Sequence, residues 1–410
     1  MLPAERRASL SLAGIFALRM LGLFLVLPVF ALEARRYPGG DDPALIGLAM
    51  GIYGLTQALL QIPFGMASDR FGRKRVIVLG LLIFAAGSFV AAAAPTLDWL
   101  LLGRALQGAG AISAAVTALL ADQTRDAVRT KAMALVGASI GLVFALSLVV
   151  APPLVKLIGL HGLFALTGVL ALAGIGVLLV VTPPAPVLKP VGRGGIWAVL
   201  RNPALLRLDF GVFVLHAVQL AMWVAIPAML VQAGLAQAAH WQVYLPAVLG
   251  SFVVMGATLF PLERRGYLRA VFLSSIALIL AVQITLLLIG SGAPSIWQLG
   301  LVLFVFFCGF NVLEASQPSL VSKLALPHMR GAALGVYNTM QSLGFFAGGA
   351  VGGLLVKRAG TQALFVTCAV AMLVWLVLAW GMRSSKENAG SNQAYSAQEN
   401  TSPPSPQKAG

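Results

Sequence analysis

The chain has 410 residues, of which 59% are hydrophobic and only 10% are charged. A soluble domain carries about 25% charged residues, so this composition excludes an ordinary soluble protein. The net charge of +15 does not indicate nucleic-acid binding, because the basic residues lie in short segments between apolar runs. Cys308 and Cys368 both lie inside such runs, so we expect neither a disulfide framework nor a metal site.

Twelve apolar runs follow one another along the chain, each close to or above the ~20 residues that cross a bilayer as a helix. The first run exceeds the roughly 7–15 apolar residues of a signal peptide, and other runs follow it, so we expect a retained helix. The runs predict an all-α polytopic membrane protein with spans over about residues 9–32, 43–67, 75–94, 98–122, 129–153, 160–182, 204–233, 240–261, 268–290, 295–322, 329–356 and 360–382.

The basic residues predict how these spans are oriented. If both termini are cytoplasmic, 21 of the 28 Lys and Arg residues fall on the cytoplasmic side and five fall in periplasmic loops. The remaining two, Arg19 and Arg104, fall within spans. Lys and Arg are enriched on the cytoplasmic side of membrane proteins. We therefore expect a multi-pass protein of the bacterial inner membrane with both termini in the cytoplasm.

Proline and glycine divide the spans into two sets of six. Residues 183–203 hold five prolines and three glycines, a composition that predicts a non-helical cytoplasmic linker. The sequence thus predicts an N-terminal six-helix half over 1–182 and a C-terminal six-helix half over 204–382. Residues 383–410 are rich in Ser, Asn, Gln and Pro, which predicts a disordered cytoplasmic tail.

The turn between spans two and three combines glycines with closely spaced charges. Gly72 permits a positive φ in the turn, and Gly65 permits close approach of another helix. Asp69 can accept hydrogen bonds from the free N–H groups at a helix N-terminus. Arg70 and Arg73 can each pair with a carboxylate from elsewhere in the chain.

This turn fits the pattern G-x-x-x-D-R-x-G-R-[RK]-x and resembles motif A of the major facilitator superfamily. Span four carries R-A-L-Q-G-A-G-A from Arg104, which resembles motif B. Span five has S-L-V-V-A-P-P over 147–153 where exporters carry G-x-x-x-G-P, so small residues replace both glycines of motif C. The resemblance covers about residues 5–382, and the drug:proton antiporter branch is the nearest match.

The resemblance implies twelve helices in two six-helix halves and a conformational gate at motif A. It implies that Asp69 lies against the N-terminus of span eleven, and that Asp122 at the end of span four pairs with Arg70 or Arg73. The gate set is therefore Gly65, Asp69, Arg70, Gly72, Arg73 and Asp122. A related subgroup of inner-membrane transporters usually adds a C-terminal ferredoxin-like domain, whereas this chain has a mainly polar segment of 28 residues there.

Ionisable residues inside spans are costly and usually functional. Those expected here are Arg19, Arg104, His216 and Glu314, with Glu314 the only carboxylate deep in a span. A desolvated Glu314 can carry a proton, or it can form a permanent ion pair with a buried arginine. His216 is a natural proton switch, or it can be a hydrogen-bonded packing residue.

Arg19 and Arg104 each allow more than one interpretation. Arg19 can bind an anionic group, repel protons, or extend its charge through a cavity. Arg104 can couple protonation to substrate movement, as the resemblance implies, or anchor two helices through backbone carbonyls. Polar residues at similar depth can line a cavity or join helices by hydrogen bonds. The predicted cavity set is Arg19, Gln57, Arg104, Gln107, Asn311, Asn338 and Gln341.

The sequence thus predicts a secondary active transporter, a proton-coupled antiporter that exports small molecules or drugs by alternating access. Two alternatives remain: a uniporter or proton symporter for an anionic metabolite, and a non-transporting membrane sensor. No P-loop, metal-ligand cluster or Ser-His-Asp set occurs in the sequence, so we expect no enzyme activity, cofactor or metal. The expected partners are the lipid bilayer, a small-molecule substrate and protons, with no nucleic acid, and a monomer suffices.

Overall fold

The computed structural model describes residues 1–184, 196–290, 292, 294–325 and 329–381, and the secondary structure in this part of the chain is helical. Apolar runs become helices in a membrane because a helix satisfies its own backbone hydrogen bonds. Short 3₁₀ turns lie at Ala34–Arg36 and Gln237–Ala239. The helices are α1 (Pro3–Glu33), α2 (Pro43–Phe71), α3 (Arg73–Ala92), α4 (Leu97–Ala109), α5 (Ser113–Asp122), α6 (Asp126–Val180), α7 (Ile196–Leu200), α8 (Pro203–Gln232), α9 (Trp241–Arg264), α10 (Leu268–Ile289), α11 (Ile296–Leu324) and α12 (Arg330–Trp380).

The described helices give the predicted twelve crossings. Ten segments are long and apolar enough to span a membrane, with α4 and α5 together forming one of them. However, α6 has 55 residues and α12 has 51, and a straight helix of that length would extend about 75–80 Å across a hydrocarbon core about 30 Å thick. Gly159 and Gly360 break these two helices with φ values of 66° and 77°. Each therefore contributes two antiparallel crossings.

The predicted linker and tail lie largely outside the described residues, which omit 185–195 and 382–410. Within the linker, the expectation of non-helical chain is wrong for Ile196–Leu200, which forms α7. The reason is local composition, because this segment is apolar and follows the glycines. Val199 is fully buried, so α7 packs onto the bundle.

Glycines let α2 and α12 touch closely along part of their length. A Cβ added at Gly51 would lie 2.7 Å from the carbonyl oxygen of Phe346, and one added at Gly349 would lie 2.7 Å from the Gly51 nitrogen. Nearer the start of α12, a Cβ at Gly331 or Gly335 would meet nothing within 4 Å. The seam between α2 and α12 is therefore tight toward one end of the bundle only.

Charged groups distinguish the two ends in the same way. Lys357 Nζ donates to Asp42 Oδ2 at 2.6 Å across the tight end of the seam. At the other end, the side chain of Asp69 is 65% exposed and its ion pair is with Arg73 of the same turn. We call the end with Asp42 and Lys357 the closed end, and the end with the motif A turn the open end.

Candidate transport and proton-coupling site

Arg19 of α1 is the buried centre of a polar network between the first spans, with only 1% exposure. Its Nη1 donates to Ser113 Oγ at 3.2 Å, and its Nη2 donates to Tyr53 OH at 2.7 Å and Gln57 Oε1 at 3.1 Å. These partners are all neutral, and Nε has no partner among the described residues. Arg19 thus keeps its charge inside the bundle. This geometry does not fit the alternative in which Arg19 extends its charge through a cavity.

Arg104 of α4 also lies over the Tyr53 ring, and it joins helices through backbone carbonyls. Its Nε and Nη2 donate at 3.4 Å to the carbonyl oxygens of Ala49 and Met50 on α2, and its Nη1 donates to Gln107 Oε1 at 2.9 Å. Gln107 in turn donates to Ser88 Oγ of α3 at 2.8 Å. This geometry matches the helix-anchor interpretation of motif B, and a coupling role for Arg104 stays a prediction.

His216 of α8 and Glu314 of α11 face each other in the second half of the chain. The Nδ1 of His216 lies 2.9 Å from the Val212 carbonyl, which can only accept, so Nδ1 carries a hydrogen. Gln341 Nε2 donates to His216 Nε2 at 2.8 Å and to Glu314 Oε1 at 3.4 Å. Glu314 Oε2 lies 3.3 Å from His216 Nε2 yet accepts no hydrogen bond from the described residues. The pair therefore has room for one additional proton.

Adjacent residues of α12 join this pair to the Arg19 network. Gln341 contacts His216 and Glu314, while the next residue, Ser342, accepts a hydrogen bond from Gln57 Nε2 at 3.0 Å. Ser342 Oγ also donates to the Asn338 carbonyl at 2.9 Å, one turn earlier. A continuous polar path thus runs from α1 through α2 and α12 to α8 and α11.

The two asparagines of the predicted cavity set have different surroundings. Asn311 is buried and its Nδ2 donates to Ser251 Oγ at 2.8 Å, so it joins α11 to α9. The side chain of Asn338 is half-buried, one turn before Ser342 on α12. Of these two, Asn311 fits the helix-joining alternative.

Asp209 is a second buried carboxylate within a predicted span, and the sequence analysis did not single it out. It lies in the second turn of α8 with only 2% exposure, and neither carboxylate oxygen has a partner among the described residues. The sequence carried a signal, because Asp209 and His216 are seven residues apart and thus share a helix face. Its position near the predicted start of the span gives no indication of burial.

The motif A turn matches the sequence expectations in two respects. Gly72 has a φ of 96°, the positive value predicted for it. Arg73 is the arginine that pairs with Asp122, at 3.0 Å between Nε and Oδ2, and its Nη1 also donates to Ser68 Oγ at 2.7 Å. These contacts hold the turn against the end of α5.

Other parts of the motif differ from expectation. A Cβ added at Gly65 would lie 3.5 Å from Ala114 Cβ, an ordinary contact, so the predicted close approach is not found there. Arg70 lies over the ring of Phe71, and Asp69 pairs with Arg73. The expected contact of Asp69 with the N-terminus of span eleven is not found among the described residues, which omit 326–328 just before that helix.

The ion pair at the closed end was not predicted. Asp42 caps α2 by accepting from the Ala44 nitrogen at 2.8 Å and also accepts from Lys357. The hydrogen bond from Lys357, followed by that from Ala44, holds the pKa of the Asp42 carboxyl below its ordinary value. Since these two residues are 315 positions apart, no local pattern in the sequence indicates the pairing.

Comparison with known proteins decides the family. The model of the Major Facilitator Superfamily matches residues 12–349 and 262–406. The chain belongs to the Major Facilitator Superfamily. It is 43% identical over 388 residues to the inner membrane transport protein YajR of Escherichia coli K12, covering 93% of this chain and 85% of that protein. Both the family and the subgroup expected from the motifs are thereby confirmed.

A more distant relative and a solved structure agree with this family assignment. The multidrug resistance protein MdtH of Aeromonas hydrophila is 28% identical over 88% of either chain. A crystal structure of a bacterial homologue of the human lysosomal transporter Spinster, inward-facing and occupied, has a TM-score of 0.72 at 14% identity and covers 93% of this chain and 97% of that one. The latter likeness confirms the fold, and the chain is a multi-pass membrane transporter of this superfamily.

Proposed function

We propose that this chain is a proton-coupled antiporter that exports small molecules. The observation that carries the proposal is the pair formed by buried His216 and partly exposed Glu314, with Gln341 contacting both. The relatives named as multidrug resistance proteins favour export, because removing a drug from the cell is one route to resistance. The halves over residues 1–182 and 204–382 would rock about the polar path that joins Arg19 to Glu314.

The hydrogen bonds of His216 suggest how a proton binds. Because Nδ1 donates to the Val212 carbonyl, only Nε2 is free to gain a proton. In the geometry described, the Gln341 amide donates to both His216 and Glu314, which fits a neutral imidazole beside an ionised carboxylate. A proton arriving at Nε2 would donate to Glu314 Oε2, now 3.3 Å away, and would displace the Gln341 amide from His216.

Displacing Gln341 would connect proton binding to the two halves. Ser342, the next residue, accepts from Gln57 of α2, and the Gln57 side chain in turn accepts from Arg19. A rotation of α12 that releases Gln341 would therefore strain or break the contact that crosses between the halves. This is the differential contact that a coupled transporter needs, since a proton shifts a conformational equilibrium only by binding its states unequally.

The positive-inside distribution puts the open end, with the motif A turn, on the cytoplasmic side. The described conformation would then be closed toward the periplasm by the α2–α12 seam and the Asp42–Lys357 pair. In the opposite conformation Asp69 would reach the N-terminus of the second-half span that begins at Arg330. The motif A contacts would thus stabilise the state that opens outward.

Arg19 favours a second candidate, a uniporter or symporter for an anionic metabolite. Its guanidinium is buried and all its hydrogen bonds go to neutral groups. A buried charge without a counter-ion is costly, and an anionic substrate group near Tyr53 and Gln57 would neutralise it. The direction of proton movement distinguishes the two candidates, because antiport moves protons opposite to substrate.

The experiment is a flux measurement on purified protein in liposomes with an imposed pH gradient. Substrates are first found by a thermal-shift screen of metabolites and drugs. Glu314→Gln should abolish proton-driven uphill transport and leave substrate exchange measurable, because the amide cannot carry the proton. Glu33→Gln is the matched control, since Glu33 pairs with Arg36 at the closed end. Normal uphill transport by Glu314→Gln, with unchanged pH dependence, would refute the proposal.

A further inference from the structure

A second buried carboxylate lies on the same helix face as His216. Asp209 and His216 are separated by seven residues of α8, about two turns, which places Asp209 about 10 Å nearer the open end. Asp209 is buried, and both of its oxygens lack a partner among the described residues. A carboxylate that served only to join helices would be hydrogen-bonded, as Asn311 is to Ser251. Asp209 therefore has no structural partner to explain its burial.

The packing of α8 against α12 fixes what lies beside Asp209. A Cβ at Gly344 would lie 3.1 Å from Phe213 Cα, and one at Gly348 would lie 2.9 Å from Ala217 Cα. The two helices thus run parallel in constant register. Asp209 lies four residues before Phe213, and Met340 lies four residues before Gly344. Asp209 is therefore level with Met340, between Tyr337 and Gln341 of α12.

Tyr337 links the new carboxylate to the one already described. Its side chain is buried and its hydroxyl has no partner among the described residues. The phenol lies within electrostatic range of both Glu314 and Asp209. Four residues later on the same face of α12, Gln341 contacts Glu314 directly. Two buried groups without a partner among the described residues, Asp209 and Tyr337, thus lie on packed helices within about one turn of the same level.

We propose that Asp209 is a second proton-binding carboxylate of the transport cycle, coupled to Glu314 through Tyr337. Resting on the proton-coupled function proposed above, this role allows more than one proton per cycle. When the helices bring the groups together, the Asp209 carboxyl gives its proton to the Tyr337 oxygen while the Tyr337 hydroxyl gives its own to a Glu314 oxygen. Asp209 is then ionised, Tyr337 is neutral and Glu314 is protonated, so the protons balance.

The described surroundings of Asp209 hold no ionic partner for it. The helices packed against α8 include α1, α11 and α12, and none of their described ionisable groups pairs with Asp209. On α8 itself, Arg207 donates to the Gly381 carbonyl at 2.9 Å. In the proposed cycle an ionised Glu314 would oppose ionisation of Asp209, because like charges repel where water is excluded.

The test is labelling with dicyclohexylcarbodiimide, a hydrophobic reagent that modifies protonated carboxyl groups, on the full chain in liposomes. Peptide mass spectrometry then reports each carboxyl separately, with exposed Asp98 as an internal control that stays unlabelled. We expect Asp209 to be labelled, and the label to fall about tenfold per pH unit above its titration midpoint. This measurement uses the wild-type protein and needs no transport assay.

Two outcomes would overturn the proposal. One is absence of label on Asp209 between about pH 5 and about pH 9; the other is label that does not change with pH, which would mark a permanently neutral acid. In Glu314→Gln, the midpoint of Asp209 should move to lower pH because a neighbouring negative charge is gone. An unchanged midpoint refutes the coupling. If the label on Asp209 changes with pH but the liposome assay detects no proton movement, the proposed proton-coupled transport is refuted and proton binding by Asp209 is not.

Discussion

Replacing Gly349 by alanine should shift the protein toward its outward-open state. A Cβ there would lie 2.7 Å from the nitrogen and 2.8 Å from the Cα of Gly51, both of which are backbone atoms that cannot rotate away. The contact exists only while α2 and α12 are closed at this end. The added methyl group therefore penalises the described conformation, whereas the opposite conformation, with this end apart, accommodates it.

The size of the shift follows from the packing. Overfilling a closely packed contact costs about 1–3 kcal/mol, which corresponds to about a 5- to 150-fold change in the equilibrium between the two conformations. Gly176→Ala is the matched control, because Gly176 is an exposed glycine inside α6 with nothing within 4 Å of its added Cβ. Both substitutions change helix propensity alike, so a difference between them reports the α2–α12 contact.

Cysteine accessibility measures this shift without a known substrate. A probe at Leu45→Cys, near the closed end of α2, should react faster with a polar thiol reagent in Gly349→Ala. A probe at Met66→Cys, near the open end, should react more slowly. The native Cys308 and Cys368 are buried, which keeps the background low. Equal rates at both probes in Gly349→Ala and in the unsubstituted protein would refute the reasoning.

Two further predictions concern the ends of the bundle. Because the pKa of Asp42 lies below its ordinary value, its pair with Lys357 should stabilise the closed end above about pH 4 and lose that effect below. Asp42→Asn should therefore raise cysteine labelling at the closed end at neutral pH. Exchanging the two charges should return this labelling to its original rate. Asp69→Asn should weaken the outward-open state about two- to fivefold, the scale of a carboxylate at a helix N-terminus. Unchanged transport and labelling in Asp69→Asn would contradict a gating role for motif A and would make it only a basic turn.

The spans and the motif turn could be predicted because their signals are local. Apolar length fixes each crossing, and the positive φ of Gly72 follows from the turn itself. The α7 segment was mispredicted because five apolar residues are too short to separate from a linker. Its burial through Val199 depends on tertiary packing.

Contacts between distant segments could not be predicted in the same way. The Asp42–Lys357 pair depends on how α2 and α12 align across the bundle, which neither local sequence specifies. The burial of Asp209 could not be predicted for a different reason. Its distance from the end of a span predicts partial exposure, yet α8 buries it at that depth because neighbouring helices, rather than water, surround it.

The order of residues along α12 explains how, in the proposed cycle, one helix would connect proton binding to the opening of either end. Its tight seam with α2 contains Gly349, its bridge to the first half is Ser342, and its contact with the proton site is Gln341. Tyr337 comes one turn before Gln341. These groups are fixed to one rigid helical segment, so a proton that moves Gln341 cannot leave the bridge or the seam unchanged. Coupling then requires no separate transmitting element, since a rotation of α12 changes all of these contacts together.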